Sequence, residues 1–430
     1  MKMAHCDHSG RNSPRRVAMA VARAACVCSF LAFAYHAVVW TPRLTYGFAM
    51  YYTYARLVLE GETLRGAYDE EHFNAKVREF GFHVRDEPNN LPTAALAYIP
   101  VAWAGPTAAK VLWTGVSLAL YGWSLALLFS LSRIPAGNLP GLMLLTLAFL
   151  WHPAWQTIAL GQVYMLVLLL FLLFIRQLSR TRDRAAGMFL ALVAIVKGYG
   201  AVPGILLAVK GKWKIIGISA GTAVVVVLAT LPMLGADSWG EFYGSVLTSL
   251  GSRPQDANAT YQTLNGFLRH LFTFDPLWLA HPLVAAAPWV ATTVSYAVSL
   301  VLVIAALLVF GNAGEGEHLL AYGGAIAAGV FTAPLAEEYH YVLLLPLLFG
   351  LAARCLAWRV EGGKAGLPEW LGAAAALGAA APTLAHTFQD AAYPLVLLAY
   401  IKLAAGLSML GAAALAIRRG RHVPPPAIPA

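Results

Sequence analysis

The sequence predicts an all-α polytopic membrane protein. Of its 430 residues, 59% are hydrophobic and only 12% are charged, about half the charge of a typical soluble domain. Continuous apolar runs rich in Leu, Ala and Val follow one another, and several approach the ~20 residues that a helix needs to cross a bilayer. A β-barrel would instead show short segments of alternating hydrophobicity.

The apolar runs give the order of the predicted spans. They cover 17–40, 93–132, 139–152, 156–175, 186–209, 215–235, 283–311, 319–334, 340–353, 367–388 and 394–417. The run 93–132 breaks at Gly105-Pro106, and several runs are shorter than a full span. Since short or broken helices are tolerated where they line a cavity or pack within protein, we expect roughly 10–12 transmembrane or half-membrane helices.

Basic residues cluster between the runs, which sets the predicted orientation. The clusters lie at 11–16, 176–184, 210–214, 354–364 and 418–421, and the positive-inside tendency assigns them to the cytoplasm. The net charge of +9 therefore indicates topology and not nucleic-acid binding. We expect cytoplasmic tails at 1–16 and 418–430 and one transmembrane domain at 17–417, which includes extracytoplasmic loops at 41–92 and 236–282. We expect the protein to lie in the plasma (inner) membrane.

Two segments need a local interpretation. The first loop contains "YYTYARLVLEG" and "DEEHFNAKVREFG", which predict amphipathic helices on the membrane surface, the second starting with acids and ending at Gly81. The run 186–209 is basic at both ends, and its 24 residues are too few to cross twice at ~1.5 Å per residue. We favour a re-entrant hairpin bent at 197–203, where two glycines and a proline occur, over an external basic loop.

Polar residues at the ends of apolar runs are the candidate site. "PLAEEYHYVLLLP" brings Glu337, Glu338 and His340 together at the predicted outer mouth of a span, where a carboxylate or imidazole can accept a proton from a hydroxyl. Lys197 lies inside an apolar run, and intramembrane charges usually face a cavity or a partner. Adjacent helical residues point about 100° apart, so at most one of the two glutamates should face a site.

Each candidate also has a purely structural interpretation. The two glutamates fit a solvated loop, and His340 fits an interfacial histidine. Lys197 fits a long side chain that snorkels to a lipid headgroup. Gln162 can bond a neighbouring helix, and Arg253 can be an ordinary loop arginine. The aromatic set fits an interfacial belt or a sugar-binding platform; it comprises Tyr46, Tyr51, Tyr52 and Tyr54.

Four segments in order resemble glycosyltransferase family 87, the polyprenol-phosphate-mannose-dependent α-1,2-mannosyltransferases. They are "GFAMYYTYARLVLEGETLRGAYD", "WHPAWQTIALGQVYMLVLLL", "AIVKGYGAVPGILLAVKGKWK" and "TAPLAEEYHYVLLLPLL". The resemblance spans about residues 40 to 350. It implies a GT-C fold whose active site faces away from the cytoplasm, with a polyprenyl-phosphate-linked sugar as donor, a glycan or lipid as acceptor, and a large first extracytoplasmic loop.

The chain departs from the family pattern at one important position. The acid that the family carries ahead of Phe and Tyr-Tyr, commonly assigned as catalytic, is Gly47 here. Either another group serves as base, or the activity is altered or lost. The nearest candidates for this base are His340, Glu337 and Glu338, and Asp69 is the next candidate. Lys197, helped by Arg253, is the expected phosphate ligand, and Gln162, Tyr51, Tyr52 and Asp69 complete the expected substrate site.

The leading hypothesis is therefore transfer of mannose or a similar sugar from a polyprenyl phosphate to an acceptor hydroxyl. A non-catalytic lipid-binding scaffold and a secondary transporter are the alternatives. No Gly-rich phosphate loop or Rossmann pattern occurs, and we expect no cofactor. His5-Cys6-Asp7-His8 resembles metal ligands but has no second ligand pair nearby, so we expect no metal.

Overall fold

The structure is a computed structural model that describes residues 13–273, 287–391 and 393–419. Within these residues the chain is helical and contains no strand, which confirms the predicted all-α class. In chain order the α-helices are α1 (Ser13–Trp40), α2 (Phe48–Leu59), α3 (Glu70–Glu79), α4 (Ile99–Ala102), α5 (Pro106–Ser132), α6 (Leu139–Phe149), α7 (His152–Leu160), α8 (Tyr164–Ser179), α9 (Asp183–Lys197), α10 (Ala201–Val209), α11 (Trp213–Leu234), α12 (Ala236–Glu241), α13 (Leu247–Ser249), α14 (Leu264–Phe272), α15 (Pro288–Gly311), α16 (His318–Thr332), α17 (Leu345–Val360), α18 (Leu367–Ala380), α19 (Ala385–Phe388) and α20 (Ile401–Arg419).

Seven segments of the described chain are long and apolar enough to cross a membrane. They are α1, α5, α6 with α7, α11, α15, Glu338–Leu344 with α17, and Leu395–Tyr400 with α20. Shorter apolar helices lie between them, and α8, α9, α16 and α18 have 14 to 16 residues each. The break predicted at Gly105-Pro106 is present, because α5 begins at Pro106.

The short helices α8 and α16 form the core of the bundle. Eleven of the 16 residues of α8 and twelve of the 15 residues of α16 are buried, as expected for helices that are apolar on every side. In contrast, only Ile215 and Leu234 of α11 are buried. We infer that α11 faces lipid, while α8 and α16 hold the surrounding helices together.

The run 186–209 folds as two helices joined by a bend. α9 ends at Lys197, Gly198 has the left-handed φ of 76° that favours glycine, and α10 begins at Ala201. Lys214, just inside α11, is 3.2 Å from Asp183 at the start of α9. The chain therefore returns to the side on which it started, as the re-entrant interpretation expects.

Ion pairs gather at the end of the bundle where this hairpin starts. We call it the basic end and define it by three pairs that join different helices: Lys214–Asp183, Arg354–Glu317 and Arg419–Glu369. The opposite end carries residues 41–105 and 236–273. The basic clusters at 210–214 and 354–364 thus lie at one end of the molecule, which fits the predicted segregation of charge.

The first loop is helical, but its first helix does not lie on a surface. Ten of the twelve residues of α2 are buried, because α2 packs against α4 and the 3₁₀ segment Pro92–Ala97. The expectation of a surface-lying amphipathic helix does not describe α2. α3 has the predicted ends: Asp69 accepts a hydrogen bond from His72 N–H at its start, and Gly81 follows it with φ of 88°.

Two glycines bring α16 and α17 into backbone contact. A Cβ added to Gly350 would lie 2.7 Å from backbone atoms of Leu320, and one added to Gly323 would lie 2.6 Å from the backbone nitrogen of Leu347. Neither position can take a larger side chain unless the two helices separate.

We expect Gly350→Ala to lower the free energy of unfolding by about 1–3 kcal/mol, because the added methyl group must push α16 away from α17. Thermal unfolding in detergent measures this change. Gly217→Ala in α11 is the matched control, since an added Cβ there meets nothing within 4 Å; it should be neutral or stabilising by up to about 1 kcal/mol. Equal melting temperatures for the two variants would contradict this packing.

Candidate active site

A cavity of about 480 Å³ lies at the end of the bundle opposite the basic end. Its walls include the hairpin tip (residues 198, 199, 201 and 202), the last turn of α16, residues 89–91 of the first loop, and a short helical segment at 236–250. We call this last segment the cover segment; it comprises α12, the π-helical turn Phe242–Val246, and α13 to Leu250. Lys197, Glu337 and His340 all line this one cavity.

Lys197 contributes the cation of the cavity. It is the last residue of α9, so the hairpin carries its side chain into the bundle. Its Nζ donates a hydrogen bond to Asn90 Oδ1 and lies 5.6 Å and 5.4 Å from the ring centres of Tyr51 and Tyr164. Among the described residues no carboxylate forms an ion pair with Lys197, so its charge is available to an anion.

Glu337 contributes the carboxylate. Its Oε1 accepts a hydrogen bond of 3.0 Å from the Tyr339 hydroxyl, and its Oε2 accepts one of 3.5 Å from Tyr46. Burial raises the pKa of Glu337 to about 7, and this outweighs the lowering effects of the Tyr339 hydrogen bond and of Lys197. A carboxyl group with such a pKa can exchange a proton near neutral pH.

His340 forms part of the cavity wall beside Glu337. Its Nδ1 is 3.0 Å from the backbone carbonyl of Glu337, a contact that requires Nδ1 to carry the proton. Nε2 is then an acceptor. The ring packs against Tyr164 and Tyr339, with ring centres 4.3 Å and 4.6 Å away. Aromatic neighbours therefore hold the imidazole in place.

Glu338 points away from the cavity into a separate buried cluster. Lys402 Nζ is 2.5 Å and His152 Nδ1 is 2.7 Å from its Oε1, and Thr383 N–H donates to Oε2 at 3.3 Å. Lys402 is fully buried and also donates to the carbonyls of Ala379 and Ala381. The structure thus separates the two adjacent glutamates: one lines the cavity, and the other binds α7, α20 and the segment that follows α18.

Sequence reasoning missed Asp86, the acid nearest to Gly47. Asp86 is buried, and its Oδ2 accepts hydrogen bonds from the backbone N–H groups of Gly47 and Met50 at the start of α2. Burial raises the pKa of Asp86 to about 7 against these hydrogen bonds. In the sequence it is one of several acids in a polar loop, and no local pattern indicates that it reaches a glycine 39 residues away.

Gln162 fills the space beside Gly47. Gly47 has φ of 78°, and a Cβ there would lie 2.2 Å from Gln162 Nε2. The Oε1 of Gln162 is buried without a hydrogen-bond partner within the described chain. An aspartate at position 47 would therefore need both a strained backbone and a different Gln162 conformation.

The other predicted site residues lie outside the cavity lining. Tyr51 is fully buried and stacks on Tyr98, with ring centres 4.5 Å apart. Tyr52 donates its hydroxyl to the carbonyl of Ala104. Asp69 caps α3. Arg253 is 2.8 Å from Glu87 and 3.0 Å from Asp256, so its charge is already balanced.

The described residues contain no group of three or more His, Cys, Asp or Glu side chains that could hold a metal ion. The stretch His5 to His8, the remaining metal-like motif of the sequence, lies outside the described residues.

Comparison with known proteins supplies the family. The sequence profile of glycosyltransferase family 87 matches residues 91–336, which is more than half of the chain and includes Gln162, Lys197 and Arg253. The match begins after Gly47 and Asp86 and ends one residue before Glu337. No curated protein and no solved structure matches the chain significantly. The helical membrane bundle and the extent of the profile match together establish that this chain belongs to glycosyltransferase family 87 and is a membrane glycosyltransferase.

Proposed function

We propose that this glycosyltransferase moves a sugar, mannose or a similar hexose, from a polyprenyl-phosphate donor to the hydroxyl of a glycan or lipid acceptor, on the extracytoplasmic side of the plasma membrane. One observation carries the proposal: a single cavity holds a cation, a carboxylate and an imidazole, at the end of the bundle away from the basic clusters. These are the groups that such a transfer needs.

The leaving group is a lipid phosphate, and Lys197 is the group that stabilises it. The acceptor oxygen attacks the anomeric carbon, the bond from that carbon to the phosphate oxygen breaks, and the phosphate keeps the electron pair. A buried ammonium group without a carboxylate partner stabilises the developing charge much more than a solvated one does. Asn90 and the rings of Tyr51 and Tyr164 hold the ammonium group in position.

The proton of the acceptor hydroxyl has to be removed during attack, and Glu337 is the best candidate base. Its carboxylate lines the cavity, and its pKa of about 7 matches the value at which a general base works well near neutral pH. His340 Nε2 is the second candidate, because it is an acceptor on the same wall. Glu338 is occupied by Lys402 and His152, and we assign it the task of holding the segment that carries Glu337 and His340.

A non-catalytic lipid-binding scaffold is the second candidate function, and the environment of Gly47 favours it. Gly47 carries no side chain, and Gln162 fills the space that a Cβ at this position would occupy. Incubation of the purified protein with a polyprenyl-phosphate sugar separates the two functions. A glycosylated acceptor supports the transferase, whereas donor binding without any transfer supports the scaffold.

We expect Lys197→Met to reduce kcat/KM on the order of 10²-fold, because the leaving phosphate loses its cation. Transfer of radiolabelled sugar from a polyprenyl-phosphate donor measures the change. Lys212→Met is the matched control, since Lys212 is an exposed lysine at the basic end, and its activity should equal that of the wild type. Full activity of a folded Lys197→Met protein would remove Lys197 from the site.

The activity should also depend on pH through Glu337. We expect the rising limb of the kcat/KM profile to have its midpoint near the Glu337 pKa of about 7, because only the ionised carboxylate accepts the proton. Over the interval from the ordinary glutamate pKa of about 4.5 to about 7 the free energy of unfolding should instead fall, since folded Glu337 retains a proton that the unfolded carboxyl releases. Activity and stability therefore change in opposite directions.

Glu337→Gln tests the same assignment, with an expected loss on the order of 10²- to 10⁴-fold in rate. The pH–rate profile of the wild type and the residual rate of this variant are measured with the same donor. A flat wild-type profile between about pH 5 and 9, or unchanged activity of Glu337→Gln, would contradict the role of Glu337 as base.

A further inference from the structure

Three hydrogen bonds join residues within the segment 337–340. The carbonyl oxygen of Glu337 accepts one from the backbone N–H of His340 and one from its ring Nδ1, each 3.0 Å long. The Tyr339 hydroxyl donates the third, also 3.0 Å long, to Glu337 Oε1. The carboxylate and the imidazole of the cavity are therefore fixed relative to each other by the residues of one short turn.

Tyr339 contacts both of these groups. Its hydroxyl bonds to Glu337, while its ring stacks on the His340 ring, with ring centres 4.6 Å apart and an angle of 22° between the planes. Tyr164 also packs against the Tyr339 ring, at 5.3 Å between ring centres. Tyr339 lines the cavity and exposes only 7% of its surface. The neighbouring rings thus hold its hydroxyl against the carboxylate.

The two oxygens of the Glu337 carboxylate have unequal partners. Oε1 accepts the bond of 3.0 Å from Tyr339, whereas the Tyr46 hydroxyl lies 3.5 Å from Oε2, which is long for such a contact. Tyr46 exposes 43% of its surface, so water competes for its hydroxyl. Oε2 is therefore the oxygen that is better able to accept a proton from an acceptor hydroxyl.

Several titratable groups face Glu337 from the elements around it. Burial raises the pKa of Glu337, while the Tyr339 hydrogen bond and, less strongly, the charge of Lys197 lower this pKa. The charge of Glu87 acts in the raising direction. The full set of facing groups is Tyr46, Asp86, Glu87, Lys197, Tyr261, Tyr339 and His340. Among them Tyr339 is the hydroxyl that bonds most closely to the carboxylate.

We propose that Tyr339 is a positioning residue for the transfer reaction: its hydroxyl holds Glu337 through Oε1, stabilises the ionised carboxylate, and leaves Oε2 to take the proton of the acceptor. This inference rests on the proposed function, in which Glu337 is the base. A hydroxyl that donates to a carboxylate favours its charged form. The proton moves from the acceptor oxygen to Oε2 as that oxygen bonds to the anomeric carbon, so no further reactant is needed.

Tyr339→Phe tests the proposal, because it removes the hydroxyl and keeps the ring. The profile of kcat/KM is measured from about pH 5 to 9 with a polyprenyl-phosphate sugar. We expect the midpoint of the rising limb to move upward by about one pH unit, since the ionised carboxylate loses a hydrogen bond. On that limb kcat/KM should fall about tenfold, while KM for the donor stays at the wild-type value because Lys197 is unchanged.

Tyr341→Phe is the matched control. Tyr341 lies in the same 3₁₀ segment and is fully buried, and its hydroxyl donates to the carbonyl of Gln262 at 2.7 Å. This variant should lower the melting temperature and keep the wild-type midpoint. Tyr46→Phe should move the midpoint less than Tyr339→Phe does, since its contact is longer. An unchanged midpoint in Tyr339→Phe, an equal shift in Tyr341→Phe, or a larger shift in Tyr46→Phe would overturn the inference.

Labelling of Glu337 by dicyclohexylcarbodiimide separates this inference from the proposed function, because the reagent modifies protonated carboxyl groups in apolar surroundings and needs no sugar donor. The labelled fraction at residue 337, measured by mass spectrometry, should fall with pH around a midpoint of about 7 in the wild type. In Tyr339→Phe the midpoint should lie about one pH unit higher. This shift supports the inference even if no sugar is transferred, and identical labelling curves would overturn it even in an active enzyme.

Discussion

The arrangement of the site depends on one unpaired cation held inside an apolar bundle. Lys197 ends α9, which has 15 residues and is shorter than a full span, and Gly198, with its left-handed φ, lets the chain turn back at once. An intramembrane charge is costly unless it meets a partner or a cavity. Here an amide oxygen and two tyrosine rings surround the ammonium group, and the cavity beside it leaves room for an anionic ligand.

Two adjacent glutamates, Glu337 and Glu338, have different electrostatic roles in the cavity wall near Lys197. Glu338 neutralises the fully buried Lys402 of α20. It also contacts His152 of α7, so it joins these two helices. Removing one partner of such a pair typically costs about 3–5 kcal/mol, so this cluster holds the segment 337–340 rigidly. Glu337 is thereby placed on the cavity, where its carboxylate accepts hydrogen bonds from two tyrosine hydroxyls of the described chain and remains available for proton transfer.

The sequence predicted those features that depend on local patterns. The length of the apolar runs predicted the all-α membrane class. Gly105-Pro106 predicted the start of α5, and the glycines after Lys197 predicted the hairpin. Long-range contacts could not be predicted from the sequence. Lys110 and Lys402 lie in apolar runs as Lys197 does, yet Lys110 donates to the carbonyl of Ala159 and Lys402 pairs with Glu338. Only tertiary contacts distinguish such structural lysines from a cation that faces a cavity. Asp86 and the burial of α2 were missed for the same reason, since both depend on how the first loop packs.

The most direct test of the account is an electron cryomicroscopy map of the protein in a lipid nanodisc with bound long-chain polyprenyl phosphate. We expect phosphate density in the cavity, within hydrogen-bond distance of Lys197 Nζ. Phosphate density at another place, with Lys197 enclosed by protein and Glu337 remote from the ligand, would contradict it.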